Sequence, residues 1–298
     1  MMSERPCLEI NNLSATVNHV GERVLRSVSL SVYRGEVHGL VGESGAGKSM
    51  IGKAVAGLLP RAVKIIEGSI TLEGISLDDL DEKGRRHFLG ETCAVIPQDP
   101  LTSLNPCRRI EPQITDRLIK TLGWKKTKAR SRALELLEEV HIREPKRVLR
   151  AYPHELSGGM RQRILIASAF ATEPKLIIAD EPTTALDVTV QKQILKLIKE
   201  MEERHGTAML FVTHDMGVVA KICKNVSVLY AGKVVEQTDV MSLFSGKNNH
   251  PYADALIEAT PRYDKPDHSL VPVDVSINQI LASEILEADK IWKGVGND

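Results

Sequence analysis

The sequence is poor in cysteine and in aromatic residues, and neither charge is in excess. Of its 298 residues, 4% are aromatic and only four are cysteine, namely Cys7, Cys93, Cys107 and Cys223. Because no two of these cysteines have CxxC spacing, we expect neither a disulfide framework nor a zinc site. Lysine plus arginine and aspartate plus glutamate number 39 each. A chain without net charge has no global field that attracts nucleic acid, so we expect no nucleic-acid partner.

Long apolar runs are also absent. The longest, residues 164–171, contains Ser168 and is far shorter than the roughly 18 residues needed to span a bilayer. Residues 1–7 contain no apolar signal segment, which predicts residence in the cytoplasm. The length suits one large domain with at most a smaller appendage. A basic run, residues 125–132, is best interpreted as the solvated start of a helix.

What the sequence does contain is a glycine-rich loop of the phosphate-binding type. The pattern G-x-x-x-x-G-K-[ST] is matched by Gly42, Glu43, Ser44, Gly45, Ala46, Gly47, Lys48 and Ser49. Glycine lets the backbone N–H groups turn inward and approach phosphate oxygens. Lys48 is expected to neutralise the β- and γ-phosphates, and the Ser49 hydroxyl to contact Mg²⁺. An apolar strand before the loop and a helix over 48–59 favour this interpretation over a glycine-rich turn without a ligand.

The pattern of apolar residues predicts an α/β fold. The predicted strands are 8–17, 24–32, 37–41, 68–74, 92–96, 176–179, 208–212, 225–230 and 233–236. The predicted helical segments are 48–59, 77–89, a largely helical region over 110–150, one ending at 172, one over 190–201, short helices near 240 and 252, and a weak one over 277–292. The repeated order of strand, helix and strand indicates a sheet that is largely parallel, with a helical segment inserted into it.

Several polar residues follow the predicted strands or begin a predicted helix. They are Gln98 in a loop, Leu156, Ser157, Gly158, Gly159 and Met160 at a helix start, Asp180 and Glu181 after an apolar strand, Asp187 in the next loop, and His214 at another strand end. Open α/β sheets bind ligands at the carboxyl ends of their strands. Each residue alone is more often a capping or solvated residue, but their joint order after a phosphate loop indicates a site for a nucleotide.

In this order the motifs resemble the ATP-binding cassette of ABC transporters, over roughly residues 8–259. The resemblance implies a P-loop NTPase fold of the ABC-ATPase type. Such a fold has a mixed or parallel sheet core, an N-terminal antiparallel β subdomain and an inserted helical signature subdomain, here about residues 102–172. Residues 260–298 form a C-terminal extension.

The resemblance also implies an ATPase that uses ATP and Mg²⁺. Asp180 would hold Mg²⁺ through water, with Ser49 and Gln98 as further ligands. Glu181 would be the general base that polarises the attacking water, and His214 would contact the γ-phosphate and orient that water.

One cassette provides only half of each active site in this family. The signature segment, Leu156, Ser157, Gly158, Gly159 and Met160, would contact the γ-phosphate bound by the opposite subunit. Asp187 would lie in the loop that crosses between subunits. The resemblance therefore implies a head-to-tail dimer that closes around ATP.

A closer resemblance is to the cassettes of oligopeptide, dipeptide and nickel importers. The segments that carry it are 98–106, 152–160, 178–187 and 250–252, together with Ala255 and Leu256. Met160, where most cassettes have glutamine, resembles the first of two paired ATPases. The resemblance implies an ATPase on the cytoplasmic face of the inner membrane, energising import of peptides or similar small solutes. Its partners would be a second ABC ATPase, in a heterodimer or a homodimer, two membrane permeases and, indirectly, an external solute-binding protein. A nickel- or opine-type solute is the alternative.

Two features depart from the family pattern. The first strand of cassettes usually carries an aromatic residue that stacks on adenine, but that position falls near Val17, and no aromatic residue precedes Tyr33. Three alternatives remain for adenine: contact with His19, contact with a partner residue, or weaker binding that raises the KM for ATP. Peptide-importer cassettes also often end in a cysteine-rich segment that binds an iron–sulfur cluster. No cysteine follows Cys223, so we expect no cluster.

Two other function classes fit parts of the sequence. A cassette protein acting in translation or DNA repair usually has two cassettes or a long coiled coil, whereas this chain shows one cassette and no sustained heptads. A nucleotide-gated module without turnover would not need Glu181 and His214.

Overall fold

The computed structural model describes residues 5–17, 21–184, 186–246, 250–260 and 275–295. The predicted turn residue His19, Ala185 in the loop before Asp187, and the tail prolines Pro261, Pro266 and Pro272 lie outside these ranges. None of the helices within them is both long enough and apolar enough to cross a bilayer.

The strands of the described residues form two sheets. In chain order they are β1 (Leu8–Val17), β2 (Arg23–Val32), β3 (Val37–Val41), β4 (Val63–Leu72), β5 (Ile75–Ser76), β6 (Cys93–Ile96), β7 (Leu176–Asp180), β8 (Ala208–Val212), β9 (Asn225–Tyr230) and β10 (Lys233–Asp239). The first sheet is antiparallel and has the order β2-β1-β4-β5. The second has the order β10-β9-β3-β8-β7-β6, parallel except for the β9–β10 hairpin.

Helices cover both faces of the second sheet. In chain order they are α1 (Lys48–Val55), α2 (Glu82–Thr92), α3 (Pro100–Ser103), α4 (Ile110–Lys120), α5 (Lys126–Glu139), α6 (Pro145–Arg150), α7 (Gly158–Phe170), α8 (Val188–His205), α9 (Met216–Ile222), α10 (Val240–Ser245), α11 (Pro251–Glu258) and α12 (Val275–Val295). Helices α3 to α7 lie between β6 and β7, which confirms the predicted helical insertion into an α/β body.

Alternate residues of β7 show why its first four residues, 176–179, are all apolar. Leu176 and Ile178 pack with α1 and the antiparallel sheet. Ile177 and Ala179 pack on the opposite face with helices α4 to α8. Because successive side chains of a strand point to opposite faces, a strand covered on both sides must be apolar at every position. The sheet thus separates two hydrophobic cores.

The structure corrects three predicted boundaries. The single helix predicted over 77–89 is wrong, because Leu77–Asp79 forms a short 3-10 turn and α2 begins only after Asp81, whose carboxylate caps it. The helix predicted over 48–59 ends at Val55, and Gly57 follows with a φ of 67°. The strand predicted over 68–74 starts earlier, at Val63, because β4 pairs with β1 along its length.

Parallel pairing brings the candidate residues to one edge of the second sheet. Strands β3, β8, β7 and β6 run in the same direction, so the segments that follow them leave from the same edge. The loop 42–49 follows β3, Gln98 follows β6, Asp180 ends β7 and is followed by Glu181, and His214 follows β8. Residues 172 positions apart in the sequence therefore converge on one site.

Candidate nucleotide site

The loop 42–49 needs glycine at its first position. Gly42 has a φ of 152°, and a Cβ atom there would lie 2.1 Å from the carbonyl oxygen of Leu229. Such a contact is far inside van der Waals distance, so no other residue fits without moving β9. Gly47, with a φ of 99°, places the start of α1 directly at the loop. The backbone N–H groups at this helix start have no intrahelical acceptor and favour an anion.

Lys48 is held inside the loop by backbone oxygens. Its Nζ donates to the carbonyls of Gly42 and Glu43, each at 2.8 Å, and the residue is 5% exposed. Burial lowers the pKa of Lys48, and the nearby carboxylates of Glu181, Asp180 and Glu43 oppose that shift. An ammonium group has three donors, so two bonds to carbonyls leave one for a ligand.

Ser49 and Asp180 form an oxygen pair at the end of β7. The Ser49 hydroxyl donates to Oδ1 of Asp180 at 2.8 Å. A hydroxyl and a carboxylate are hard oxygen donors, the type that Mg²⁺ takes together with water and substrate phosphates. Within the described ranges no group of three His, Cys, Asp or Glu residues could hold a metal ion by itself. The donors present therefore fit Mg²⁺ delivered with a nucleotide, and do not form an all-protein metal cage.

Glu181 contacts three polar side chains. Its Oε2 accepts hydrogen bonds from Gln98 Nε2 at 3.1 Å and from Thr184 Oγ1 at 3.0 Å. Its Oε1 lies 3.2 Å from Nδ1 of His214, whose side chain is 52% exposed, whereas that of Glu181 is 14% exposed. These contacts fix both carboxylate oxygens beside the phosphate loop, where the Glu181 side chain is largely buried but still reaches solvent.

The backbone of Glu181 is strained. Its φ of 45° places a non-glycine residue in the left-handed region, and its N–H donates to the carbonyl of Val212 at 2.9 Å. Such a conformation costs on the order of 1–3 kcal/mol and persists where the surrounding structure holds it. The bond to the end of β8 holds this turn, so the carboxylate points toward Gln98 and His214.

The signature segment 156–160 starts helix α7. Ser157 is exposed, and its Oγ accepts from the Met160 N–H at 3.3 Å, so Ser157 caps α7. Gly159 packs closely, because a Cβ there would lie 3.3 Å from Cγ1 of Val190 in α8. In the described part of the chain, no hydrogen bond joins this segment to the loop 42–49 of the same chain.

One hydrogen bond links α7 to the site, and an aspartate caps α8. Gln162, which is fully buried, donates through Nε2 to the carbonyl of Pro182 at 2.7 Å, one residue after Glu181. Asp187 caps α8 by accepting from the N–H groups of Thr189 and Val190 at 3.0 and 2.9 Å. The start of α7 is thus linked to the turn at Glu181.

Tyr252 supports the phosphate loop, a role that its sequence motif did not indicate. Its hydroxyl oxygen accepts from the Glu43 N–H at 3.2 Å, and its ring packs edge to face on Tyr230 with centroids 4.9 Å apart. Tyr252 is fully buried, and burial raises the pKa of Tyr252 to about 12. The hydroxyl therefore stays neutral at ordinary pH.

Replacing Tyr252 by phenylalanine is expected to loosen the loop. Loss of this partly buried hydrogen bond costs about 0.5–1.5 kcal/mol in the free energy of unfolding, and we expect ATP to bind roughly two- to tenfold more weakly. Because the tyrosine does not ionise below its raised pKa, the effect should be constant between about pH 6 and pH 9. Chemical denaturation and calorimetric titration measure both quantities. Tyr33→Phe, at a residue 40% exposed, is the control. Unchanged stability and unchanged affinity in Tyr252→Phe would remove this supporting role.

Comparison with known proteins identifies the family. A family model described as ABC transporter matches residues 25–184, more than half of the chain. A probable peptide ABC transporter ATP-binding protein of Sinorhizobium fredii is 45% identical over 251 residues, covering 84% of this chain and 75% of the relative. The dipeptide transport ATP-binding protein DppD of Escherichia coli is 42% identical, covering 86% and 79%. The oligopeptide transport ATP-binding protein OppD of Bacillus subtilis is 44% identical, covering 85% and 72%.

Solved structures show the same fold. The ATP-binding cassette MJ0796, a dimer in a post-hydrolysis state with bound ADP and phosphate, superposes with a TM-score of 0.69 at 29% identity, covering 78% of this chain and 98% of that one. CbiO1 of Clostridium perfringens, part of an ABC transporter complex, gives a TM-score of 0.71 at 28% identity, covering 82% and 92%. The predicted fold class and the predicted resemblance are confirmed. The chain belongs to the ABC transporter family, as an ATP-hydrolysing cassette.

Proposed function

We propose that this chain energises an ABC importer for peptides or similar small solutes. The observation that carries the proposal is one continuous site, in which the phosphate loop, the Ser49–Asp180 pair and the Glu181 carboxylate meet at one sheet edge. The peptide-transport names of the relatives at 42–45% identity support the choice of solute. A nickel- or opine-type solute is the alternative within the same subfamily.

The loop 42–49 is proposed to hold the β- and γ-phosphates of ATP. Its inward N–H groups and the start of α1 supply partial positive charge, and Lys48 supplies a full charge. Mg²⁺ would be held by Ser49 and Gln98, and by Asp180 through water, where it would neutralise charge on the phosphates. The Gln98 amide contacts Glu181 through its nitrogen, so its oxygen is the atom suited to a cation.

Glu181 is proposed to be the general base. Attack of water on the γ-phosphate requires a carboxylate within hydrogen-bond reach of that water. Glu181 follows Asp180 directly and is oriented by Gln98, Thr184 and His214, so its position is set before a substrate arrives. His214, which is exposed and lies beside Glu181, is proposed to contact the γ-phosphate and to help orient the same water.

A second cassette is proposed to complete each site. Ser157 is exposed, and the bonds of its segment stay within α7 and the turn before it, so the segment is available to another subunit. Asp187 is exposed at the loop that would cross between subunits. Closing two half-sites around ATP positions the γ-phosphate and brings further stabilising groups to it, and positioning plus electrostatic stabilisation is how phosphoryl transfer is accelerated. The partner is proposed to be a different ABC ATPase, with a homodimer as the other possibility.

Replacing Ser157 by arginine separates binding from hydrolysis. The substitution adds a long charged side chain to the face that would meet the partner's γ-phosphate, but leaves the chain's own loop 42–49 intact. We expect the Kd for ATP to change less than about twofold, and turnover to fall by roughly 10²-fold or more, since positioning in the shared site is lost. Nucleotide titration and phosphate release measure the two effects.

Ser131→Arg provides the matched control for Ser157→Arg. Ser131 is exposed on α5 in the same helical insertion, so the variant adds the same side chain away from the proposed dimer face. It should hydrolyse ATP at the wild-type rate. Equal loss of ATP binding in Ser157→Arg and Lys48→Ala would contradict the shared site.

The permeases are proposed to dock over a cleft beside β6. The cleft has a volume of about 740 Å³ and is lined by the end of α1, by Ile65, by α2 and by Arg117. Leu58 on its wall is 60% exposed. Arg117 donates to the carbonyl of Gly90 at 2.7 and 2.9 Å and also contacts that of Cys93, the first residue of β6. Gln98 follows the other end of this four-residue strand, so the strand is proposed to transmit movement at the cleft to the contact of Gln98 with Glu181.

The proposed assembly contains this chain, a second ATPase and two membrane permeases, with an external solute-binding protein acting through the permeases. The chain would lie peripherally on the cytoplasmic face of the inner membrane. Within it, residues 8–259 are proposed to be the cassette, with a helical subdomain of about 102–172, and residues 260–298 a C-terminal extension without a cysteine cluster.

Uptake by cells that lack this chain tests the choice of solute. Accumulation of labelled di- and oligopeptides should be lost, and should be restored by the wild-type gene but not by one encoding Lys48→Ala. Normal peptide uptake together with lost nickel uptake would favour the alternative solute.

A further inference from the structure

The C-terminal helix α12 places charged and aromatic side chains against strand β2. Asp289 accepts from Arg26 Nη2 at 2.7 Å and from its Nε at 3.1 Å, and lies 3.5 Å from Arg23 Nη1. The guanidinium of Arg23 lies over the Trp292 ring, with Cζ 5.0 Å from the ring centroid. Leu281 and Ile285 of the same helix are buried, so α12 is packed against the cassette along several turns.

The order of strands in the second sheet indicates which end of the nucleotide would lie near Arg23, Asp289 and Trp292. Glu181, Gln98 and His214 follow strands β7, β6 and β8, which all lie on one side of β3. In the proposed site the γ-phosphate faces Glu181. The nucleobase, at the opposite end of ATP, then lies on the other side of the loop 42–49, toward β9 and β10.

Strand β2 borders the phosphate loop on that second side. Gly232, between β9 and β10, donates its N–H to the Ala46 carbonyl and accepts from the Arg26 N–H, each at 2.8 Å. The carbonyl of Val24 lies 3.1 Å from the position of a Cβ at Gly47. Arg23 is adjacent to Val24, and therefore lies next to the path that the ribose and base would take.

The Arg23 side chain is buried in this position. It is 7% exposed, its Nη2 donates to Ser14 Oγ at 3.1 Å, and among the described residues its Nε has no hydrogen-bond acceptor. Arg23 pairs in register with Thr16, one residue before Val17 at the end of β1. Trp292 is partly exposed, so the indole is not wholly covered by its contact with Arg23.

We propose that Trp292, held over Arg23 and oriented through Asp289, forms the surface on which the base of ATP stacks. The proposal rests on the proposed nucleotide site and deepens it. An indole and a guanidinium plane both favour stacking with a nucleobase, whereas Val17 on β1 offers no ring. The C-terminal helix thereby supplies a purine-binding group to a cassette whose first strand has no aromatic residue, and its position decides how tightly ATP is held.

Intrinsic fluorescence reports this contact directly. The chain has two tryptophans, Trp124 and Trp292, so the full-length Trp124→Phe variant leaves Trp292 as the single emitter. ATP is expected to change the Trp292 emission on binding, and inorganic tripolyphosphate, which has no base, is expected to bind without that change. Calorimetry on the same samples establishes that each ligand is bound. An unchanged emission with ATP bound would overturn the proposal.

Replacing Trp292 by alanine tests the energetic consequence. Loss of stacking should weaken ATP binding roughly 5- to 100-fold and leave the affinity for tripolyphosphate unchanged. Trp292→Phe keeps a ring and should restore most of the ATP affinity. Leu286→Ala, at a residue 62% exposed on the same helix, is the matched control and should bind ATP as the wild type does. Equal ATP affinity in the wild type and in Trp292→Ala would overturn the proposal.

The same titrations separate this inference from the proposed function. Lys48→Ala should lose affinity for both ATP and tripolyphosphate, because it removes a phosphate contact. If the wild type binds both ligands and the Trp292 variants bind ATP as tightly as the wild type does, the inference fails and the nucleotide site stands. If the wild type binds neither ligand, both proposals fail.

Discussion

Replacing Glu181 by glutamine is expected to lower ATP turnover on the order of 10²- to 10⁴-fold and to leave ATP binding intact, since it removes the proposed general base. The substitution conserves shape, and the amide oxygen can still accept from Gln98 or Thr184. What is lost is the ability to take a proton from water. ATP should then remain bound, and the closed dimer, which hydrolysis would otherwise open, should accumulate.

Single-turnover phosphate release and size-exclusion chromatography with ATP measure these two outcomes. Glu203→Gln is the matched control, because Glu203 is exposed on α8 and pairs only loosely with Lys199, at 3.9 Å. It should hydrolyse ATP normally and show no ATP-dependent trapping. Wild-type hydrolysis by Glu181→Gln would show that another group is the base.

Replacing Lys48 by alanine is expected to weaken the binding of ATP strongly. The ammonium group is buried and held by two loop carbonyls, so it cannot be replaced by a neighbouring cation without rebuilding the loop. A charge-assisted hydrogen bond to phosphate contributes about 1.5–3 kcal/mol, which corresponds to roughly a 10- to 100-fold rise in the Kd for ATP.

Titration calorimetry checks this expectation against a close control. Lys53 lies on the same helix but is exposed beyond the loop, so Lys53→Ala should bind ATP as the wild type does. Circular dichroism should show that both variants are folded. An unchanged Kd in Lys48→Ala would place the phosphates elsewhere.

Local patterns were sufficient to predict the elements that deliver the site. Strand β7 could be recognised because residues 176–179 are covered on both faces and had to be apolar. The glycines at 42 and 47 could be recognised because the loop admits no other residue there. The cap at Ser157 followed from a short polar residue directly before a helix. Each of these features depends on residues that are close together in the sequence, so the sequence alone was sufficient to predict it.

Contacts between distant segments could not be predicted in the same way. Tyr252 and Glu43 are separated by 209 positions, and Arg26 and Asp289 by 263, so no periodicity links them. Gln162 carries no signal that it will bond to Pro182, because the link depends on how α7 packs against β7. The predicted start of α2 was wrong for a local reason, because the Asp81 side chain caps a new helix after a short turn.

The most direct test of the account is purification of this chain from detergent-solubilised membranes, followed by an ATPase assay on the complex that is recovered. We expect a complex with two permeases and a second cassette, and we expect its phosphate release to be lost when this chain carries Lys48→Ala. Recovery of the chain without permeases, in association with ribosomes or DNA, would contradict the importer assignment and leave only the ATPase chemistry.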